Sequence, residues 1–196
     1  AKVVYATDDF FADKSRLIDP AEPVFIPNKY DDHGKWMDGW ESRRKRTPGH
    51  DYCVIRLGIP GVVHGFDIDT RHFTGNYPPA CRIEACRVQG EPDDGTAWQE
   101  ILPMQPLGPS AHHFFACADE GVWSHLRLHI YPDGGVARLR VYGRPVLAGD
   151  PGGEIDLASA LNGARVVAFS NAHYGAYQRL LAPGRGRDMG DGWETR

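Results

Sequence analysis

The chain has 196 residues, of which 41% are hydrophobic and 24% charged, with a formal net charge of −4 at pH 7. These values are typical of a globular protein of one or two domains. The negative balance argues against a nucleic-acid partner held by phosphate contacts, and the absence of an apolar run of about 18 residues predicts no membrane span.

The sequence contains a long internal repeat. The segment 1–20 matches 164–183 without a gap, and the segment 38–43 returns as 191–196. The offset falls from 163 to 153 between these two blocks, so the second copy has lost ten residues there. A repeat of this length predicts a duplicated domain rather than a solenoid, whose units run to roughly 20–50 residues.

The predicted domains are 1–149, which is the first repeat, and 150–196, which is a linker followed by the beginning of the second repeat. The turn-rich stretch 149–153 separates them. The truncated second copy is too short to close a hydrophobic core alone. It therefore packs on the first copy or on a partner chain, or else the natural protein continues, and we favour continuation.

Short strands separated by turns rich in glycine and proline are predicted along the chain. One short helix is predicted at 13–17, with its copy at 176–181. The predicted strands span 51–57, 62–70, 82–89, 98–102, 111–117, 123–131 and 137–142. This pattern is typical of an all-β protein with a β-sandwich fold.

The clearest alternation lies at 123–131. Apolar residues at 126, 128 and 130 fall on one face, and His125, Arg127 and His129 fall on the other. A strand with one face in a core has this period of two, and we interpret the polar face as solvated. A turn at 132–135 leads to the next alternating segment, so the sequence predicts an antiparallel hairpin.

The four cysteines, Cys53, Cys81, Cys86 and Cys117, show no CxxC spacing. We predict that they are buried, reduced thiols, which indicates a cytoplasmic location. A disulfide between two of them is a less favoured alternative. A zinc site is less favoured still, because such sites usually pair their ligands at short spacing.

A dense polar and aromatic segment lies at 34–44. It places Asp38, Trp40, Glu41 and Arg43 within six residues. In an extended conformation Asp38, Trp40 and Ser42 point one way, and Glu41 and Arg43 point the other. Two interpretations stay open: a functional cluster, or a structural ion pair beside a buried tryptophan, which recurrence in both repeats supports.

A second polar segment leaves a strand at 67–70 and carries His72, Asn76 and Tyr77 into a loop. Loops held by a rigid sheet often carry binding groups, so we favour a functional role over a plain polar turn. The loop at 23–35 falls where the second copy is shorter. We predict that it is either a lid or an oligomer contact.

Together these segments resemble the allantoicase family. The resemblance rests on KWMDGWESRR at 35–44, on HFTGNYPP at 72–79, on 129–135 and 138–143, and on 156–159 and 189–196 of the second copy. It implies two tandem jelly-roll β-sandwich domains related to galactose-binding-like modules, of which this chain supplies the first and the start of the second. It further implies hydrolysis of allantoate to ureidoglycolate and urea.

The implied substrate requires an acid for the departing urea nitrogen and a base for water. We predict that His72 and either Glu41 or Asp38 fill these catalytic roles. The substrate carboxylate requires a cation, and Arg43 or Arg127 offers a guanidinium in bidentate geometry.

Asn76 and Tyr77 are predicted to bind the ureido groups of the substrate. No cofactor is expected and no metal ligand set is predicted. Aspartates such as Asp67 and Asp69 nevertheless supply oxygen atoms, so a divalent metal is not excluded.

A function of another class stays open, because a fold does not fix a function. Discoidin-like jelly-roll modules bind sugars or other ligands without performing chemistry. The carboxylates, imidazole and guanidinium of the two motif segments favour an enzyme instead. A third reading is an inactive half whose site needs further residues. The family resemblance and the unclosed second copy also predict self-association as a homo-oligomer.

Overall fold

The structure, a computed structural model, describes residues 1–146 and 154–196. The chain divides into two compact units, Ala1–Gly143 and Arg144–Arg196. The predicted boundary stretch 149–153 lies outside the described residues. The strands are β1 (Lys2–Ala6), β2 (Tyr30–Asp31), β3 (Gly34–Lys35), β4 (Trp40–Glu41), β5 (Asp51–Asp69), β6 (Ala80–Cys86), β7 (Gln99–Pro106), β8 (His112–Ala116), β9 (Val122–Tyr131), β10 (Gly135–Val136) and β11 (Arg138–Pro145).

The main sheet has the order β1-β5-β9-β6-β7, and β8 and β11 also pair with β5. The register of β5 against β9 shifts between Arg56 and Gly61. The first half of β5 pairs with β1 and β9. Its second half pairs with β9 again at Gly61 and Val62 and then with β8 from Gly65 to Asp69. Side chains from both halves lie in one buried cluster, so the sheet folds over a single core. The predicted β-sandwich is confirmed.

The apolar face of β9 supplies the centre of this core. Leu126, Leu128 and Ile130 are all fully buried, as their alternation predicts. Burying each such side chain contributes about 1.5–3 kcal/mol. The prediction that the opposite face is solvated is wrong for His125 and His129, which are 1% and 4% exposed.

The predicted hairpin between β9 and the following strand is wrong. β9 pairs with β5 on one side and with β6 on the other, so both of its edges are occupied. The chain that follows the turn at 132–135 therefore pairs elsewhere: β10 with β4, and β11 with β5. This crossing brings Gly135 beside Glu41.

All four cysteines are free and buried, as predicted. Burial raises the pKa of Cys81 to about 12 and, as the largest cause, that of Cys86 to about 11. Such thiols do not ionise near neutral pH and behave as small core residues. No helix among the described residues is long and apolar enough to cross a membrane.

The second unit reproduces local structure of the first. The 3-10 helix Lys14–Ile18 recurs as Tyr177–Leu181, which confirms the two short helices predicted from the sequence. The isolated β-bridge made by Glu41 also recurs, at Glu194. Both pairs keep the offsets of the sequence repeat.

The two tryptophans of the repeat make equivalent hydrogen bonds. Trp40 Nε1 donates to the Asp8 carbonyl at 2.8 Å, and Trp193 Nε1 donates to the Asn171 carbonyl at 2.8 Å. Asp8 also forms an ion pair with Arg43. Because asparagine replaces aspartate at the equivalent position, the second copy keeps the backbone arrangement without this acidic partner.

Candidate active site

Glu41 is the buried carboxylate at the centre of the candidate site. Its backbone bridges to Ala12 on one side and pairs with Gly135 of β10 on the other. Trp40 is fully buried in the main core, so alternation along the strand turns the Glu41 side chain away from that core. Glu41 is nevertheless only 8% exposed. β4 ends at Glu41, so the alternation predicted as far as Arg43 stops there.

A buried phenylalanine anchors the loop at 70–79 next to Glu41. Phe73 is fully buried. A Cβ atom on Gly39 or Gly135 would lie 2.9 or 2.0 Å from its ring, so only glycine lets both backbones approach. The Gly135 N–H also donates to the Asn76 carbonyl at 2.7 Å. These contacts fix Asn76 over the end of β4.

The side chains of Asn76 and Glu41 are joined by a hydrogen bond. Asn76 Nδ2 donates to Glu41 Oε1 at 2.6 Å. Burial raises the pKa of Glu41 above its ordinary value, although the Asn76 hydrogen bond opposes this rise. A carboxyl group with a raised pKa in a cleft is suited to giving and taking protons.

Glu41 and Asn76 lie where two lobes of a cleft meet. One lobe, here called the histidine lobe, has a volume of about 380 Å³ and is also lined by Phe11, Lys35, Met37, His72, Thr74 and Gly75. The other, the lysine lobe, has a volume of about 490 Å³ and is also lined by Ser42, Arg44, Lys45, Tyr77, Pro79 and Asp133. Three cationic side chains line the two lobes against two carboxyl groups, those of Glu41 and Asp133, and this excess of positive charge favours an anionic ligand.

His72 forms one wall of the histidine lobe. Its backbone φ of 71° lies in the left-handed region, which is uncommon for a residue with a side chain. Its Nε2 lies 3.2 Å from the Pro23 carbonyl, and its ring stacks on Phe25 with centroids 5.8 Å apart. The loop at 23–35 therefore supports this wall.

Asp38 does not line either lobe. Its Oδ2 lies 2.8 Å from Nη2 of Arg138 and accepts the Val24 N–H at 2.9 Å. Burial favours the neutral acid, but the hydrogen bonds and charge of Arg138 and the Val24 N–H hold the pKa of Asp38 below its usual value. It stays ionised as part of an internal ion pair.

Arg43 and Tyr77 fall at different places. The Arg43 side chain is 63% exposed and pairs with Asp8, with Nη2 and Oδ2 2.7 Å apart. It does not line the lobes. Tyr77 packs beside Phe73 and lines the lysine lobe.

Arg127 lies in another cleft, of about 610 Å³, whose lining includes Tyr52 and Trp98. Its guanidinium is 4.4 Å from the Trp98 ring centroid, and its Nε donates to Glu84 Oε2 at 2.7 Å. The structure therefore brings Glu41, His72, Asn76 and Tyr77 together around one cleft, but not Arg127.

Glu84 is the centre of a charged network beside Arg127. Burial opposes its ionisation, but hydrogen bonds with His129, Arg127 and Arg82 lower the pKa of Glu84 to about 2. Burial is the main reason why the pKa of His129 falls to about 4. His129 is therefore neutral near neutral pH, and its Nδ1 lies 2.8 Å from His50 Nε2.

Sequence reasoning missed several residues of the cleft, above all Phe11, Lys35, Arg44 and Lys45. Two of them, Lys35 and Arg44, are the first and last residues of the motif at 35–44. The motif was therefore the sequence signal that could have indicated them. Within residues 1–146 and 154–196, no group of three or more His, Cys, Asp or Glu is arranged to hold a metal ion. The absence of a cofactor stays a prediction.

Comparison with known proteins identifies the family. A family model described as the allantoicase repeat matches residues 1–146 and again 155–196. The chain belongs to the allantoicase family. The two matches also support the duplication predicted from the sequence.

Relatives of this allantoicase-family chain match all of its length. A probable allantoicase of Rhizobium meliloti is 58% identical, and the match covers 100% of this chain and 58% of that protein. A probable allantoicase of Photobacterium profundum is 56% identical, and the match covers 100% of this chain and 60% of that protein. The solved allantoicase of Saccharomyces cerevisiae is 39% identical with a TM-score of 0.79, over 100% of this chain and 60% of that one. The chain thus spans about 58–60% of the length of these relatives.

A more distant structure shares only the fold. The domain CBM32-3 of a Clostridium perfringens glycoside hydrolase is 15% identical with a TM-score of 0.53, over 73% of this chain and 90% of that one. This likeness agrees with the predicted jelly-roll sandwich and is too distant to indicate a function.

Proposed function

We propose that the protein containing this chain hydrolyses allantoate to ureidoglycolate and urea in the cleft around Glu41 and Asn76. The observation that carries the proposal is a buried Glu41 carboxyl with a raised pKa, hydrogen-bonded to Asn76 in a cleft with cationic walls. Membership of the allantoicase family supports the same reaction.

The reaction exchanges one bond at the central carbon of allantoate. The bond from this carbon to one ureido nitrogen breaks, and a bond to the oxygen of water forms. One proton of water ends on the departing urea nitrogen, and the other remains on the new hydroxyl group. The step therefore needs a proton donor for the leaving nitrogen and a proton acceptor for water.

Glu41 is proposed to fill both of these roles in turn. Its raised pKa keeps a larger fraction of the carboxyl protonated, ready to protonate the leaving nitrogen. The resulting carboxylate then accepts a proton from the attacking water. Asn76 binds Oε1, so the hydrogen bond fixes the carboxyl plane and leaves Oε2 for the substrate.

The ureido groups carry several N–H donors and a carbonyl acceptor each. Asn76 offers its side-chain oxygen on the substrate side, because its Nδ2 is engaged by Glu41. We propose that His72 binds a ureido group in the histidine lobe and Tyr77 another group in the lysine lobe.

Asp38, Arg43 and Arg127 receive other assignments in this proposal. Asp38 holds a buried arginine and the loop at 23–35, Arg43 holds Asp8, and Arg127 belongs to the Glu84 network. The carboxylate of the substrate is left to cations of the cleft. Self-association and a cytoplasmic location stay predictions.

Incubation of the complete protein with allantoate tests the proposed reaction. We expect urea and ureidoglycolate to form in equal amounts. A urea assay measures the first product, and chromatography measures the second. Heat-inactivated protein is the control, because it corrects for spontaneous breakdown of the substrate. Binding of allantoate or of glycans without release of urea would instead favour the non-catalytic binding module.

A further inference from the structure

Lys45 is fixed at both ends within the lysine lobe. Its backbone N–H donates to Asp133 Oδ2 at 2.7 Å. Its Nζ lies 2.6 Å from Asp51 Oδ1, and its side chain is 27% exposed. A lysine on the rim of a cleft usually keeps its flexible side chain free, so this double attachment calls for an explanation.

Asp51 holds the ammonium group from inside the fold. It is fully buried at the start of β5, where it pairs with Ile130 of β9. Its Oδ1 accepts hydrogen bonds from Lys45 and from Thr7, the latter at 2.7 Å. Its Oδ2 is buried without a hydrogen-bond partner. The oxygens of a buried carboxylate normally all accept hydrogen bonds. In Asp51 one oxygen has no donor, while the other accepts both hydrogen bonds and holds the Lys45 ammonium group. This geometry indicates that Asp51 serves to position Lys45.

We propose that Lys45 binds the carboxylate of a small ureido acid in the lysine lobe, and that Asp51 is its positioning residue. The inference rests on the proposed function and names the group that recognises the anionic end of the substrate. An ammonium group has three donors. Since Asp51 takes one of them, the others can face a ligand that also touches Glu41 and Asn76, which line the same lobe.

Four other cations in or near the two clefts fit this role less well. Arg43 lies outside the cleft, and Arg127 lines a different one. Lys35 stacks over the Phe25 ring in the histidine lobe, with Nζ 4.7 Å from the centroid. Arg44 lines the lysine lobe but is exposed, so it adds positive charge without a fixed direction. Lys45 is already ordered, so binding a carboxylate costs less conformational entropy there.

Binding of N-carbamoylglycine tests the inference without any reaction. This acid carries one ureido group and one carboxylate on the same carbon, and N-carbamoylglycinamide is the matched ligand without the charge. In calorimetric titrations of the complete protein, we expect the acid to bind at least about tenfold more tightly than the amide. Lys45→Met should abolish this preference, and Lys45→Arg should restore part of it. The control Arg46→Met changes an exposed neighbour and should keep the preference.

Asp51→Asn tests the positioning role. We expect the preference for the acid to fall several-fold, and the KM for allantoate to rise more than kcat falls. An unchanged preference in Lys45→Met would overturn the assignment of Lys45. Weaker folding of Asp51→Asn with an unchanged preference would make Asp51 merely structural. If the wild type prefers the acid but releases no urea from allantoate, the proposed reaction fails while the carboxylate site stands.

Discussion

Glu41→Gln is expected to lower kcat for urea release by about 100- to 10,000-fold. Glutamine keeps the shape of the side chain and an oxygen for the Asn76 Nδ2 donor, but it has no acidic proton to transfer. Binding of N-carbamoylglycine should change far less than kcat. Steady-state kinetics of the complete protein measures the effect, and Glu100→Gln, at a side chain 48% exposed, is the control that should keep activity.

The same variant should not lose stability at neutral pH. Burial raises the folded-state pKa of Glu41, so the folded protein binds a proton more tightly than the unfolded chain. Stability from this group is therefore present at pH below its unfolded pKa, near 4.3, and declines as pH rises through its folded pKa. Glutamine has no such cost, so Glu41→Gln should unfold at an equal or higher denaturant concentration at pH 7.

The advantage of Glu41→Gln should disappear as the pH approaches 4, where the carboxyl is protonated in both states. Denaturant titrations across this range measure it. A carboxyl group that is needed for activity but lowers the stability of the fold is an example of the trade-off between activity and stability at active sites. A variant that retains kcat would remove Glu41 from the chemistry, and one that loses several kcal/mol of stability at pH 7 would contradict the raised pKa of Glu41.

Arg138→Met is expected to lower the free energy of unfolding by about 3–5 kcal/mol. The Arg138 side chain is 2% exposed and its Nη2 is 2.8 Å from Asp38 Oδ2. It also donates to the carbonyl groups of Ala21 at 2.9 Å and Ala137 at 2.8 Å. Methionine fills part of the space, but it leaves the partly buried Asp38 carboxylate without its cationic partner and the carbonyl of the buried Ala137 without this donor.

Chemical denaturation measures the effect of Arg138→Met. Arg144→Met is the matched control, because Arg144 lies on the same strand and is exposed; its effect should stay within about 0.5 kcal/mol. A loss below about 1 kcal/mol for Arg138→Met would show that the Asp38 ion pair is not a structural centre. Asp38 would then return as a candidate for the catalytic role predicted from the sequence.

The sequence predicted the features that depend on neighbouring residues. Alternation at 123–131 indicated the core face of β9, and the repeat indicated both 3-10 helices because the same local pattern occurs twice. The motif at 72–79 indicated a loop, and Phe73 explains how this loop is anchored. Its functional role stays a prediction. The pairing of strands was harder to predict from the sequence. The predicted hairpin is wrong because β5 and β6, which are distant in the chain, already occupy both edges of β9.

The contacts of the site depend on residues far apart in the chain. Asp38 meets Arg138 and Glu41 meets Asn76 only after the sheet has folded, so spacing alone did not separate a structural carboxylate from a functional one. The sequence predicts Asp51 only as the start of a strand. Asp51 binds the Lys45 ammonium group from a buried position, and that position depends on pairing with β9 and on the hydrogen bond from Thr7.

A crystal structure of the complete protein with N-carbamoylglycine tests the central claim most directly. We predict that the ureido group contacts Glu41 and Asn76 and that the carboxylate contacts Lys45. A ligand bound instead between Tyr52, Trp98 and Arg127, with the Glu41 cleft empty at saturating ligand, would contradict the site proposed here.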